Sequence, residues 1–410
     1  MLQNDESTIT ILTYEIGDVG GETLDHWMQT LETETGISKE NVFIHAEHVH
    51  SAPYAGSDCE EDVGDVEKTE QFKQICLEAA IAAIKDCQMN LEPAKVSVDT
   101  SQCYVSANRD YAYNGSTGAD SDIKSAYITW MNQKGFSDHT VTVLEFDAVE
   151  DGHPIALWTN YAVHSEGMFH VFQYLDGKMI LCSDIAGHAS MCVEKVYQDI
   201  GENIVCMHTM GAAGDQMPQY IGVYYTFDAN GKVIEHQMTA DGALDVMQAQ
   251  ANALGEAILT ACRNMDKANA VSELGLYSVQ SMLSIPGKLE DEDRGNYQGP
   301  TTIPTADGWE YDLNADPVDL EIGLIKIGDF AIGTVGTEIV AQIGSDIKEA
   351  LMEGGATGAM VVTVCNGQHA YLTTQEGYDA YTFEATASLM APGSVLWSLK
   401  GLRLCNVDIG

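Results

Sequence analysis

Residues 45 to 53 read HAEHVHSAP and set three histidines, His45, His48 and His50, close together. Neutral imidazoles at this spacing can share a metal, or put one ring on a metal and the other on its substrate. Val42 to His48 alternates like a strand, so His48 and His50 are expected on one face and His45 on the other, beside Glu47. Ser51, Ala52 and Pro53 then break the strand, which leaves the pair at a strand-to-loop edge, where sites in α/β folds tend to lie. HxH alone also fits a hydrogen-bonded strand end, so both readings stay open. His164 stops an apolar strand in NYAVHSEGM and could ligate or simply cap it. GAAGDQMP, residues 211 to 218, is a glycine-rich turn around Asp215 that could offer N–H groups to an oxyanion, or be only a turn.

The elements that must position these residues alternate between extended and helical patterns. Strands are expected at Thr8 to Tyr14, Val42 to His48 and Ala94 to Val105. Thr140 to Phe146 and Ile155 to Val163 read as an antiparallel pair joined across EDGHP. Further strands are expected at Val205 to Thr209, Leu274 to Ser284, Ile322 to Ile327 and Met360 to Val364. Helical periodicity covers Gly21 to Glu34, Thr69 to Cys87, Ala189 to Asp199, Leu244 to Met265 and Glu338 to Met352. Strand, helix, strand at the start is the opening of an α/β domain, a layered mixed sheet flanked by helices. No internal repeat or linker divides the chain, so one domain over 1–410 is expected. Pro286 to Asp319 forms an irregular insertion.

Composition excludes several function classes. An apolar content of 45% with 20% charged residues is that of a globular protein. A formal net charge of −43 would repel nucleic acid and anionic membranes, so neither is expected as a partner. Ten cysteines without a CxxC pair read as reduced thiols rather than a disulfide framework. The N-terminus has no basic and apolar leader, and no stretch approaches a membrane span. A cytoplasmic protein is expected if Met1 is the true start, secretion remaining open if it is not.

Six stretches in order carry a resemblance: HVHSAP, NRDYAY (Asn108 to Tyr113), NYAVHSEGM, SDIAGHAS (Ser183 to Ser190), GAAGDQMP and HAYLTTQEGYDAYTFEATAS (His369 to Ser388). The chain resembles the neutral/alkaline non-lysosomal ceramidases, which carry HTHSGP, an NRSP-type segment, a strand ending in His, SDxxGYAS, GDxSP and HYxTTxEEYxxxxYEAxS. The resemblance implies a ceramidase-like zinc amidohydrolase domain. It implies zinc ligands at His48, His164, Glu338 and Tyr371, with Glu338 in VGTE where the family has PGE. Glu349 and Glu353, further along the same helix, are poorer choices.

Two imidazoles and a carboxylate leave zinc an open position, the arrangement of a catalytic site, where it acidifies water and polarises a carbonyl. His50 would face water or substrate as acid or base, Arg109 would contact substrate or an oxyanion or else pair with a carboxylate, and Asp215 would serve in the glycine-rich turn. Iron or manganese would suit the same donors. His170, His188 and His208 are candidates for supporting positions, and the acidic runs Asp58 to Asp65 and Glu290 to Asp293 read as solvated loops.

Departures from the family shape the expected chemistry. The GDxSP serine is Met217 here, and a thioether cannot attack a carbonyl. On this resemblance the family's C-terminal immunoglobulin-like domain is expected to have no counterpart, and the sequence is expected to start inside the family's N-terminal domain. The expected activity is therefore hydrolysis of an amide in a small-molecule or lipid-like N-acyl compound, ceramide-like or smaller, by zinc-activated water. An ester, lactone or cyclic-amide hydrolase on the same metal, and a non-catalytic metal-binding scaffold, are the alternatives.

Overall fold

The computed structural model describes residues 1–56, 66–112, 127–169, 171, 177–178, 180–229, 233–272, 274–289, 303–305 and 308–395. His170 and both acidic runs fall largely or wholly outside these residues.

The first layer grows from TITILTY, whose β-branched residues favour an extended chain. Thr8–Tyr14 pairs antiparallel with Leu2–Gln3 and parallel with Val42–Ala46. A parallel pair needs a crossover, and the helix Gly21–Thr35 supplies it. Its buried residues Leu24, Trp27 and Leu31 recur at helical spacing and face the same cluster as Cys76, Leu77, Ala80 and Ile84 of the helix Val66–Met89. Trp27 is buried with its ring centroid 5.3 Å from that of Tyr14, and truncating a ring so placed costs about 3–5 kcal/mol.

Two four-stranded sheets follow, and they share one plan. In the first, Ala94–Gln102, Thr140–Ala148 and Pro154–Tyr161 pair antiparallel in turn. Val205–Met210 then joins parallel after the helix Asp184–Asp199. In the second, Leu276–Ile285, Val318–Ile327 and Phe330–Val335 pair antiparallel, and Gly358–Val362 joins parallel after the helix Ala341–Glu353. The likeness lies in topology, since no sequence repeat accompanies it. The helices Asp184–Asp199 and Ala240–Asn264 cover the first of these sheets, and Ala341–Glu353 covers the second. The layers meet in a core of Ile9, Phe43, Leu144, Trp158, Ile325, Ile332 and Met360.

This is the expected class, a mixed α/β fold with helices on its faces, built as several small sheets. Most expected elements are present. The strand before the histidines ends earlier, at Ala46, and the helix expected from Glu338 begins at Ala341. Strands beyond those expected include Ser106–Ala112, Tyr127–Asn132, Phe330–Val335 and Val223–Phe227, the last hairpinned with Val233–Gln237. The expected irregular insertion contains, within its described part, a short hairpin of Ile303–Thr305 and Gly308–Glu310. Among the described residues the cysteines that are assigned are free, and no helix is long and apolar enough to cross a membrane.

Candidate metal centre

The strand Val42–Ala46 delivers the histidines to the site through a turn. Past Ala46 the chain bends, with Glu47 N–H on Tyr14 O and Val49 N–H on Ile16 O. His48 adopts φ 52°, a left-handed conformation that costs a non-glycine residue about 1–3 kcal/mol and persists where the surroundings impose it. Strand alternation is therefore not what brings His48 and His50 together, contrary to expectation. The left-handed turn does so, and their ring centroids lie 4.8 Å apart at 85°. His50 N–H donates to Ser165 O, which ties this turn to the loop that carries His164.

Each of the two buried rings is oriented by the backbone. His48 Nδ1 lies 2.9 Å from Gly17 O, and His164 Nδ1 lies 3.0 Å from Gln216 O. A carbonyl only accepts, so in both rings Nδ1 carries a proton, and in the neutral ring this leaves the Nε2 lone pair free, as in metal-binding histidines. Gly17 is suited to its position because a Cβ there would meet the Tyr54 ring at 2.3 Å.

Both Nε2 atoms turn to one carboxylate. Glu338 Oε1 is 3.3 Å from His48 Nε2, and Oε2 is 2.8 Å from His164 Nε2. The second contact has the length of a hydrogen bond without its alignment, and Oε2 has no other partner. Glu338 sits on a two-residue strand, Glu338–Ile339, that runs parallel to Tyr371–Leu372 with Glu338 opposite Tyr371. It thus precedes the helix rather than starting it, while Glu349 and Glu353 stand exposed on the helix beyond. Against the cost of burial, His48, His164 and Arg109 hold Glu338 well below the usual carboxylate range.

The donor set fits a cation. With both rings neutral, the lone pairs of two nitrogens and a carboxylate converge, and positive charge among them, from a cation or from protons on the rings, stabilises the arrangement. His50 adds a third ring: His48, His50 and His164 offer nitrogens that all lie within 4.8 Å of one another. His50 Nε2 is buried without a hydrogen-bond partner, and burial together with the charges on His48 and His164 pushes its pKa well down.

Arg109 closes the far side. Its buried guanidinium donates from Nε to Glu384 Oε1 at 2.9 Å and from Nη2 to Tyr371 Oη at 3.1 Å. Nη1 is the looser arm, 3.5 Å from His164 Nε2 and 3.8 Å from Glu166 Oε1. Of the two roles expected for Arg109, the carboxylate pair is present, and Nη1 is the arm left for a substrate. Asp215 does not leave its turn open to an oxyanion. Its Oδ1 accepts from Ala341 N–H at 2.7 Å and Gln216 Nε2 at 2.9 Å, and its Oδ2 from Asn108 Nδ2 at 2.8 Å. It therefore fastens the helix after Glu338 to the strand that carries Arg109. Burial first, and then the Glu384 charge, raise its pKa to about 6.

Met217 is buried in a small apolar cluster with Ile221, Val223 and Phe169, and the Phe169 ring centroid lies 6.0 Å from that of His50. His45, His188 and His208 stay outside the cluster of rings. His45 Nε2 accepts from Met210 N–H, His188 bonds Asp184 O within its helix, and His208 bonds Thr159 Oγ1.

Three residues that sequence reasoning passed over support the site. Glu384 is fully buried against Arg109. Asp184 accepts from the N–H groups of Gly167, Met168 and Ile185 and so pins the loop behind His164. Glu166 faces Arg109 from that loop. Each lies in a stretch already quoted for its motif, but among 62 acidic residues no residue-type signal separates them.

Residues 3–284 match the neutral/alkaline non-lysosomal ceramidase family, N-terminal domain. No curated protein matches the chain. Among solved structures, neutral ceramidase from Pseudomonas aeruginosa superposes with a TM-score of 0.69 at 17% identity, covering 97% of this chain and 65% of that one. A ceramidase complexed with C2 gives 0.66 at 17% identity, covering 97% and 66%. At that identity the likeness is one of fold, and the chain spans just under two thirds of those proteins. The matched segment contains His48, His50, Arg109, His164 and Asp215, while Glu338 and Tyr371 lie beyond it and reach the site through the second four-stranded sheet and the short ladder next to it. The chain belongs to the neutral/alkaline non-lysosomal ceramidase family.

Proposed function

We propose that this protein is a zinc-dependent hydrolase that cleaves an amide bond in an N-acyl compound, ceramide-like or smaller. The observation that carries the reading is the convergence of His48 Nε2 and His164 Nε2 on the Glu338 carboxylate, with both Nδ1 protons fixed on backbone carbonyls. His48, His164 and Glu338 would hold the metal, with Tyr371 beside Glu338. Bound there, zinc supplies Lewis-acid polarisation of a carbonyl and acidifies water.

The chain's own groups do the rest. Arg109 holds the Tyr371 oxygen in place, and its Nη1 is available to a developing oxyanion. His50 Nε2, unpartnered and beside both ligand rings, accepts the proton of the attacking water and returns it to the leaving nitrogen, so that amide and water become acid and amine. The burial of Met217 in an apolar cluster supports direct attack by water, since no side-chain nucleophile stands at that position.

Elemental analysis of the purified protein should find about one zinc per chain. A panel of N-acyl amides, esters and lactones, assayed with and without chelator, should show amide cleavage that chelation abolishes. Esters or lactones cleaved to the exclusion of amides would replace the amidase reading, and metal without turnover would leave a scaffold.

A further inference from the structure

The two oxygens of Glu338 stand in different surroundings. Oε1 accepts from Gln368 Nε2 at 2.8 Å and lies 3.3 Å from His48 Nε2. Oε2 lies 2.8 Å from His164 Nε2 and, among the described residues, has no hydrogen-bond partner. A carboxylate only accepts, so the Gln368 amide turns its nitrogen to Glu338, and its own oxygen is left buried without a partner among the described residues. An N–H on Oε1 draws electron density toward itself, which leaves Oε2 as the stronger donor.

The turn that carries Gln368 is braced to keep it there. Between Val364 and Ala370 three non-glycine residues are left-handed: Val364 at φ 48°, Asn366 at 60° and Ala370 at 55°. A β-branched residue rarely adopts that conformation, and such positions persist where the surroundings impose them and gather at functional sites. Asn366 N–H donates to Ile44 O at 2.7 Å, its Oδ1 accepts from Ile44 N–H at 2.7 Å, and its Nδ2 donates to Gln280 Oε1 at 3.1 Å. His369 Nε2 lies 2.6 Å from Glu321 Oε2, and a Cβ at Gly367 would meet that same oxygen at 2.5 Å. Where the turn ends, Ala370 O accepts from both Glu338 N–H and Thr337 Oγ1. One stretch of chain thus fixes the backbone of Glu338 and also sets an amide against its side chain.

We infer that Gln368 is a positioning residue that engages Oε1, so that Glu338 offers a metal ion Oε2 alone. This deepens the metal-centre reading and rests on it. Held through one oxygen, Glu338 takes up one position on zinc instead of two, and a position stays open for substrate, as a catalytic site requires.

The test uses the full chain, stripped of metal by chelator. It is titrated with zinc against a chromophoric chelator, and separately with cobalt, whose visible absorption weakens as coordination expands beyond the tetrahedral. Gln368→Met keeps the length of the side chain and removes the donor. It should weaken zinc binding by about 10- to 100-fold, the range for groups that orient metal ligands, and should lower the cobalt absorption as Glu338 turns both oxygens to the ion. A general loosening of the site with the same ligation would leave the cobalt spectrum where it is. Gln368→Asn, whose amide falls one methylene short of Oε1, should move both measurements the same way, and it carries the test if Gln368→Met does not fold. A zinc Kd within about threefold of the wild type in a folded variant, or a cobalt spectrum identical to the wild type, overturns the inference.

Failure of the hydrolase reading looks different in the same experiment. Wild-type protein that binds zinc and cleaves amides, with variants unchanged in both titrations, keeps the hydrolase and removes the role of Gln368. Zinc binding that weakens in the variants as expected, without cleavage of any amide by the wild type, removes the hydrolase and leaves Gln368 in its role. Wild-type protein that binds no zinc removes both.

Discussion

His164 Nε2 and Glu338 Oε2 lie 2.8 Å apart, while Nδ1 of the same ring donates to Gln216 O on its opposite side. Such a pair is stable where positive charge, from a metal ion or from a proton on Nε2, lies between the two atoms, and His48 presents the same arrangement to Oε1. His48→Ala and Glu338→Ala should each weaken zinc binding by more than about 100-fold, since even the groups that orient metal ligands are worth 10- to 100-fold. Metal content after dialysis measures this. Removing zinc from the wild type should also lower the melting temperature, because a ligand at 100 times its Kd stabilises the folded state by about 2.7 kcal/mol. A Glu338→Ala protein that retains a full equivalent of zinc would remove Glu338 from the site.

Arg109 and Glu384 form the best-aligned buried ion pair behind that centre, at 2.9 Å with both side chains almost fully enclosed. Removing one partner leaves the other charge stranded, at a cost of about 3–5 kcal/mol. Removing both leaves no stranded charge from this pair, although Glu166 and Tyr371 then lose a neighbour. Arg109→Met with Glu384→Gln should therefore destabilise less than the sum of the single changes, by about 1–3 kcal/mol in urea unfolding. Additive costs would mean that the pair is not coupled, and that Tyr371 and Glu166 hold Arg109 without Glu384.

Much of this site could be read from the sequence, for reasons that differ from residue to residue. His48, His50 and His164 stand out because histidine is uncommon and each follows an apolar strand, a pattern visible in a short window. Glu338 and Tyr371 could be named only through the resemblance, because what joins them is a two-residue ladder between distant segments that has no periodicity of its own. Ser106–Ala112 escaped notice because SANRDYA is polar and does not alternate; it is a strand because Gln216–Pro218 and Tyr127–Asn132 pair with it on either side, with a bulge between Asn108 and Asp110. The left-handed backbone at His48 leaves no trace in composition, so alternation gave a sound conclusion about shared faces for the wrong reason.

Met217 tests whether this site lacks only a hydroxyl. Its side chain is buried in a cluster with Ile221, Val223 and Phe169, and its strand pairs with Ala107. Met217→Ser should lose about 2–5 kcal/mol of stability, the cost of emptying a buried apolar site, with a further penalty if the hydroxyl finds no partner. It should not gain cleavage of ceramide, as measured by product release. A gain of ceramide turnover without loss of stability would show instead that position 217 faces the substrate.

Acid stability should report two histidines that are kept neutral outside the site. Burial depresses His208 to about 4, and burial, helped by the charges on His208 and His48, depresses His45 to about 3. Both take up a proton on unfolding at any pH between these values and the unfolded value of about 6.5. Because the unfolded chain then binds more protons than the folded one, stability is fully present above pH 6.5 and falls as the pH drops. The slope from the two together is about 2.7 kcal/mol per pH unit down to about pH 4, and from His45 alone about 1.4 kcal/mol per unit down to about pH 3. The metal ligands also protonate over part of this range, so the wild-type curve alone cannot isolate the effect. His208→Gln can, because its amide still reaches Thr159 Oγ1 and the ligands are unchanged, so their contribution cancels in the difference between the two proteins. That difference should be constant above pH 6.5. Below it, the variant should gain on the wild type by about 1.4 kcal/mol per pH unit, as read from urea unfolding at pH 7, 6 and 5. Parallel curves for the two proteins would mean that His208 takes up its proton equally well in the folded state, and that its burial does not keep it neutral.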